Sequence, residues 1–160
     1  MRKALALGLL AVCCLAPALR ADSAADVRAI SDRGHEFVAA WDKDDAKAMA
    51  GIFSPEGDLI NPFGRVAKGR AEIEKLFTDE HASFMKGTTF KVTHEVARVV
   101  GGEVGILDWD VDVLGLKAAD GSPAPPFKNH VTIVLAKRGG TWWAEAARPV
   151  VYVPPPGAPK

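Results

Sequence analysis

Cysteine is almost missing from these 160 residues; Cys13 and Cys14, both near the N-terminus, are the only two. No disulfide can brace the rest of the chain, so packing must hold it. Neither charge is in excess, with 20 basic and 20 acidic residues, and a basic nucleic-acid surface has no basis in that balance. Past the N-terminal segment no thiol nucleophile remains. Gly-x-Gly-x-x-Gly, P-loop and Gly-x-Ser-x-Gly patterns are absent as well, so the sequence offers no motif for a nicotinamide or nucleotide cofactor. Metal motifs also break off early. His94-Glu95-Val96-Ala97-Arg98 puts Arg98 where a zinc-protease motif needs its second His. Asp108, Asp110 and Asp112 begin like a calcium loop, but Val113 and Ala119 stand where Gly and Glu are required.

What is present begins with Arg2 and Lys3, followed by the apolar run Ala4–Leu15, Pro17, and small residues at Ala18 and Ala21. A charged start, a short apolar stretch and a small-residue end read as a secretory signal peptide. The run is shorter than the roughly 20 residues of a membrane-spanning helix. Residues 1–21 are thus expected to be a leader, cleaved after Ala21 or alternatively after Ala18. The mature chain would then be periplasmic or secreted, with no membrane attachment. Lipidation is disfavoured, because Val12 and Cys13, rather than small residues, precede the two cysteines. Three of the 20 basic residues leave with the leader, so 17 face 20 acidic ones, a net of −3.

Hydrophobic residues make up 48% of the chain, enough for one ordinary core. Val27, Ile30, Phe37, Val38 and Trp41 recur at helical spacing and predict a first helix from about Ala24 to Trp41. Asp44 or Asp45 can cap a short second helix carrying Met49, Ile52 and Phe53. Ser54-Pro55-Glu56-Gly57 reads as a turn and Asp58–Asn61 as a short strand. A third helix follows Gly69, with Ile73, Leu76, Phe77 and Phe84 as its apolar stripe and Gly87 at its end. From Thr88 the period changes to two. Phe90, Val92, Val96 and Val100 alternate with polar residues, and Gly101-Gly102 makes a hairpin turn. Three further strands are expected: Ile106–Leu114, with Leu107, Trp109, Val111 and Val113 on one face, then Phe127–Lys137 and Thr141–Val153. Pro154–Lys160 is a Pro-rich tail. Helices followed by a run of antiparallel strands make an α+β domain over residues 22–153.

Three stretches carry a family resemblance: Phe37–Asp45, Gly57–Gly64 and Lys68–Ile73. The closing Gly139-Gly140-Thr141-Trp142 adds to it. Together they resemble the SnoaL-like branch of the nuclear-transport-factor-2-like superfamily, most of all its SgcJ/EcaC group. The resemblance implies a cone-shaped fold, about three helices on a curved, mainly antiparallel sheet, with a pocket between them. It also implies a homodimer through the outer face of the sheet. Ketosteroid isomerases share that fold. By local motif their Asp base falls on Asn61 and their Tyr donor on Phe37. An amide does not take a proton at neutral pH, and a phenyl ring donates no hydrogen bond. Steroid isomerisation is therefore not expected. Arg148-Pro149 stands where the SgcJ/EcaC group tends to have His-Asn.

Within that frame the candidate ligand-binding residues are Trp41, Asn61, His81 and Arg148, and His81 is the candidate catalytic group. His81 follows Phe77 by four residues, on the apolar face of its helix, and can act as an acid–base group near neutrality. Asn61 can hydrogen-bond a ligand oxygen or serve as a turn residue before Pro62. Arg148 can hold a carboxylate or form a salt bridge on the sheet surface. Trp41 fits a core as well as a ligand wall. Three functions stay open: an exported domain that binds a small molecule, a cofactor-independent acid–base enzyme of the SnoaL-like kind, and a dimeric module with a filled cone.

Overall fold

The computed structural model describes residues 16–153. The run Ala4–Leu15, with both cysteines, and the tail Pro154–Lys160 lie outside the described residues. Helix α1 spans Ala16–Trp41, starting earlier than the apolar spacing predicts and within the segment read as a leader. Ala, Leu and Arg are strong helix formers and Pro is accepted in a first turn, so the local sequence carries no stop there.

Asp44 follows in the left-handed region, at φ 53°. Asp45 then caps α2 (Ala46–Gly51), its carboxylate accepting from the Ala48 amide at 2.9 Å. Ile52 and Phe53 lie past this helix. Strand β1 runs Phe53–Ile60, so Ser54–Gly57 is not a turn but part of a strand. Its pairing explains why it looked like one. Phe53 is opposite Ala144 and Asp58 opposite Ala146, so the Pro55-Glu56-Gly57 segment is taken up in an irregular, bulged stretch. A short β2 (Val66–Lys68), unforeseen in the sequence, returns antiparallel to β1.

Helix α3 spans Gly69–His81 and buries Ile73, Leu76 and Phe77. It ends before Phe84, which is 48% exposed and leaves the predicted stripe; Met85 is buried instead. Then come β3 (Thr89–Val100), β4 (Val104–Leu114), β5 (Phe127–Arg138) and β6 (Thr141–Val151). The sheet order is β2-β1-β6-β5-β4-β3, antiparallel throughout except for the parallel β1–β6 pair.

On β4 the predicted face holds: Leu107, Trp109, Val111 and Val113 are all buried. Each contributes roughly 1.5–3 kcal/mol. On β3 the predicted alternation fails halfway. A register shift between Val92 and His94 moves the inner face to Glu95, Ala97 and Val99, and leaves Val96 and Val100 exposed. A single extra residue in a strand of period two does this by necessity. It also bends the strand, and the sheet curves around the helices. Helix α1 lies against β3 and β4, and α3 against β1. The space between them is filled mainly by rings: Phe37 meets Phe77 and Phe90 at 5.5 Å between centroids, and Phe90 meets Trp109 at 5.9 Å. Edge-to-face contacts of this kind add about 0.5–1.5 kcal/mol each beyond burial. No helix among the described residues is long and apolar enough to cross a membrane.

Candidate functional site

The packing leaves a cavity of about 70 Å³ between α1, α3 and the sheet. Phe37, Trp41, Phe77, Phe90 and Trp109 form much of its wall. Three polar side chains also border it: Asn61, Glu80 and Asn129. At about 30 Å³ per water, the volume holds roughly two waters.

Glu80 is the group that the sequence reading missed. It belongs to α3, seven residues after Ile73, four after Leu76 and three after Phe77, and so falls on the buried stripe. It is only 7% exposed. Asn61 Nδ2 donates to its Oε1 at 2.7 Å. Burial holds the carboxyl of Glu80 above the usual carboxylate range, with the Asn61 hydrogen bond and the nearby His81 and Arg65 charges pulling the other way. The signal was available, since an acid in register with an apolar stripe is forced inside with it. Only the packing shows that it borders a void.

Asn61 directly follows β1 and does two jobs. Its Oδ1 accepts from the Phe63 amide at 3.1 Å and the Arg65 amide at 2.7 Å, closing the turn to β2, while its Nδ2 holds Glu80. Trp41 also lines the cavity, its Nε1 donating to Thr88 Oγ1 at 3.1 Å. Phe37 lies in the wall as well, so the two positions matched to the isomerase base and phenol share one cavity.

His81 and Arg148 are placed elsewhere. His81 is buried, but it is not among the residues lining the cavity. Its ring stands edge-on to Trp41 at 4.5 Å between centroids, and its Nδ1 donates to Asp44. The shared partner ties the α1–α2 turn to the end of α3. Arg148 pairs with Asp58 at 2.6 Å, beside Thr132 in the sheet register. That is the outer face, which also carries His130 between Asp110 and Asp108, and Lys128 on Asp112.

At the mouth, Phe63 stacks on Phe127 at 5.6 Å and meets Phe84 edge-on at 5.5 Å. Phe63 is 58% exposed. A shallow groove on the outside, bordered by Arg65, Asp79 and Phe84, shares Asn61, Phe63 and Glu80 with the cavity. Glu80 thus stands between an apolar interior and solvent.

The SnoaL-like domain pattern matches residues 35–145, which takes in all but the outer parts of α1 and β6. The chain belongs to the SnoaL-like domain family. Solved structures agree on the fold. A cystatin-like protein from Caulobacter vibrioides superposes with a TM-score of 0.71 at 20% identity, over 79% of this chain and 89% of that one. A domain from Nostoc punctiforme, also cystatin-like, gives 0.72 at 21%, over 82% and 80%. A protein of the NTF2-like family from Streptomyces avermitilis gives 0.69 at 15%, over 82% and 99%. No curated protein matches the sequence. Membership of this SnoaL-like family points to ligand binding or enzyme-type function.

Proposed function

We propose that the domain binds a small, largely apolar molecule in the cavity and uses Glu80 as its acid–base group. The observation that carries this reading is the placement of Glu80. A carboxyl that is buried, held above its usual range and bonded by Asn61 at 2.7 Å borders an otherwise apolar wall. Such a group exchanges a proton nearer neutrality than an exposed carboxylate does. Asn61 fixes the orientation of Glu80 and needs no charge of its own. The pairing of His81 with Asp44 makes it a structural histidine in this reading. Steroid isomerisation is not proposed, because Asn61 and Phe37 lack the base and the phenol.

Native mass spectrometry of protein from its own host captures a retained ligand, and Glu80→Gln tests the role. Gln keeps the shape and the acceptor for Asn61 but cannot carry the proton. The ligand is expected to bind both forms and to be turned over by the parent only. Equal turnover by Glu80→Gln defeats the acid–base role; binding without turnover by either form leaves a pure binding domain.

Two further proposals come from the sequence: export with removal of residues 1–21, and a homodimer through the outer face of the sheet. The exposed Val96 and Val150 on that face support the second. Within the family, the SgcJ/EcaC group is the proposed position.

A further inference from the structure

We infer that Asn129 is the anchoring residue of the cavity, and that its ligand is a small neutral molecule carrying a hydrogen-bonding oxygen. The inference rests on the cavity being a ligand site.

Among the described residues six polar side chains are buried: Ser54, Asn61, Glu80, His81, Thr88 and Asn129. Five have side-chain partners. Ser54 donates to Glu145, Asn61 to Glu80, His81 to Asp44, and Thr88 accepts from Trp41 while donating to the Met85 carbonyl. His81 leaves its Nε2 without a partner, but it does not border the cavity. Asn129 is 3% exposed and does border the cavity, and its side-chain amide makes no hydrogen bond to the described residues. An amide this far from bulk water is stabilised by a hydrogen-bonding partner. Its surroundings supply none. It lies on the inner face of β5 between Phe127 and Val131, opposite Val111 on β4 and Val151 on β6. The cavity borders the amide, and a bound molecule there can supply the partner.

The lining also sets the charge of that partner. Among the described residues no Lys, Arg or His borders the cavity. An anion would be buried without a counter-charge, which is strongly unfavourable. A cation would find only Glu80, and two ions withdrawn from water seldom recover their desolvation. A neutral oxygen suits the amide, which offers both a donor and an acceptor. At about 70 Å³ the cavity is smaller than the roughly 150 Å³ that holds a benzene ring, so its wall has to yield for a ring to enter.

The test uses the full mature chain, labelled with nitrogen-15 and titrated with cyclopentanone, phenol, benzene, benzoate and benzylammonium. The two neutral oxygen compounds are expected to bind and to shift the Asn129 side-chain amide signals. Asn129→Leu should weaken them about tenfold, the effect of one hydrogen bond. It should bind benzene at least as well as the parent, and its free form should melt at a higher temperature because an unpaired amide is gone. A purely structural Asn129 would not give that combination. Unchanged affinity for cyclopentanone and phenol in Asn129→Leu overturns the inference, as does tighter binding of either charged ring. If neither benzene nor the neutral oxygen compounds bind the parent, the ligand-site reading falls, and the inference with it.

Discussion

Replacing Asn61 with Asp alters one atom of the site. The Oδ1 that accepts from the Phe63 and Arg65 amides is kept, while the nitrogen 2.7 Å from Glu80 Oε1 becomes a carboxylate oxygen. With both carboxylates ionised at that distance, the repulsion is about 6 kcal/mol at an effective dielectric constant of about 20. Keeping one proton between them is less costly. From an ordinary carboxylate value near 4 up to pH 7, it costs about 1.4 kcal/mol per pH unit, or about 4 kcal/mol in all. The pair therefore shares a proton and titrates as a unit. The folded state then binds more protons than the unfolded one, so stability is fully present at acid pH and is lost as pH rises. Urea denaturation of parent and variant at a series of pH values from about 4 to 8 measures this. The two should be close near pH 4 and separate by up to about 4 kcal/mol near pH 7. A gap that does not change with pH would refute the reasoning, because it would mean that Asn61 and Glu80 do not face each other.

Gly34→Ala should destabilise the fold although Ala is the better helix former. A Cβ there would stand 2.6 Å from Leu107 Cδ2 and 2.7 Å from Trp109 Cη2, in a fully buried layer. Overpacking costs about 1–3 kcal/mol against the roughly 1 kcal/mol gained in propensity, so a higher melting temperature would contradict the packing described. The carboxyl of Asp44 is held below the usual range first by the His81 donor, helped by the Gly87 amide. Its stabilisation is present above the ordinary carboxylate value and lost as pH falls through the lowered one, and Asp44→Asn should flatten that acid limb of a melting curve. Intact mass of exported protein should match a chain starting at Asp22, or alternatively Leu19; full-length protein in the host cytosol argues against export. Light scattering should find a dimer at tens of micromolar, roughly the range of weak association, and monomer alone argues against the outer-face pairing.

The sequence by itself determined most of the secondary structure and the family. The alternation Leu107, Trp109, Val111, Val113 fixes a half-buried strand because its period is local. The same holds for Ile73, Leu76 and Phe77 on α3, and Gly101-Gly102 turns the chain where the sequence says, both residues at positive φ. Tertiary structure decided what local periods cannot carry. Ser54–Gly57 became strand because β6 lies alongside it, and the β3 register shift turned Val96 and Val100 outward. His81 and Glu80 are neighbours on one helix and both are buried, yet one is held by Asp44 and the other borders the cavity. Asn129 looks like any polar residue in a strand until its neighbours prove apolar and its amide is left facing the cavity. Burial of a position is written in the spacing of its own segment. Whether the space beside it is packed or empty depends on side chains from six other elements, and no single stretch of sequence contains that information.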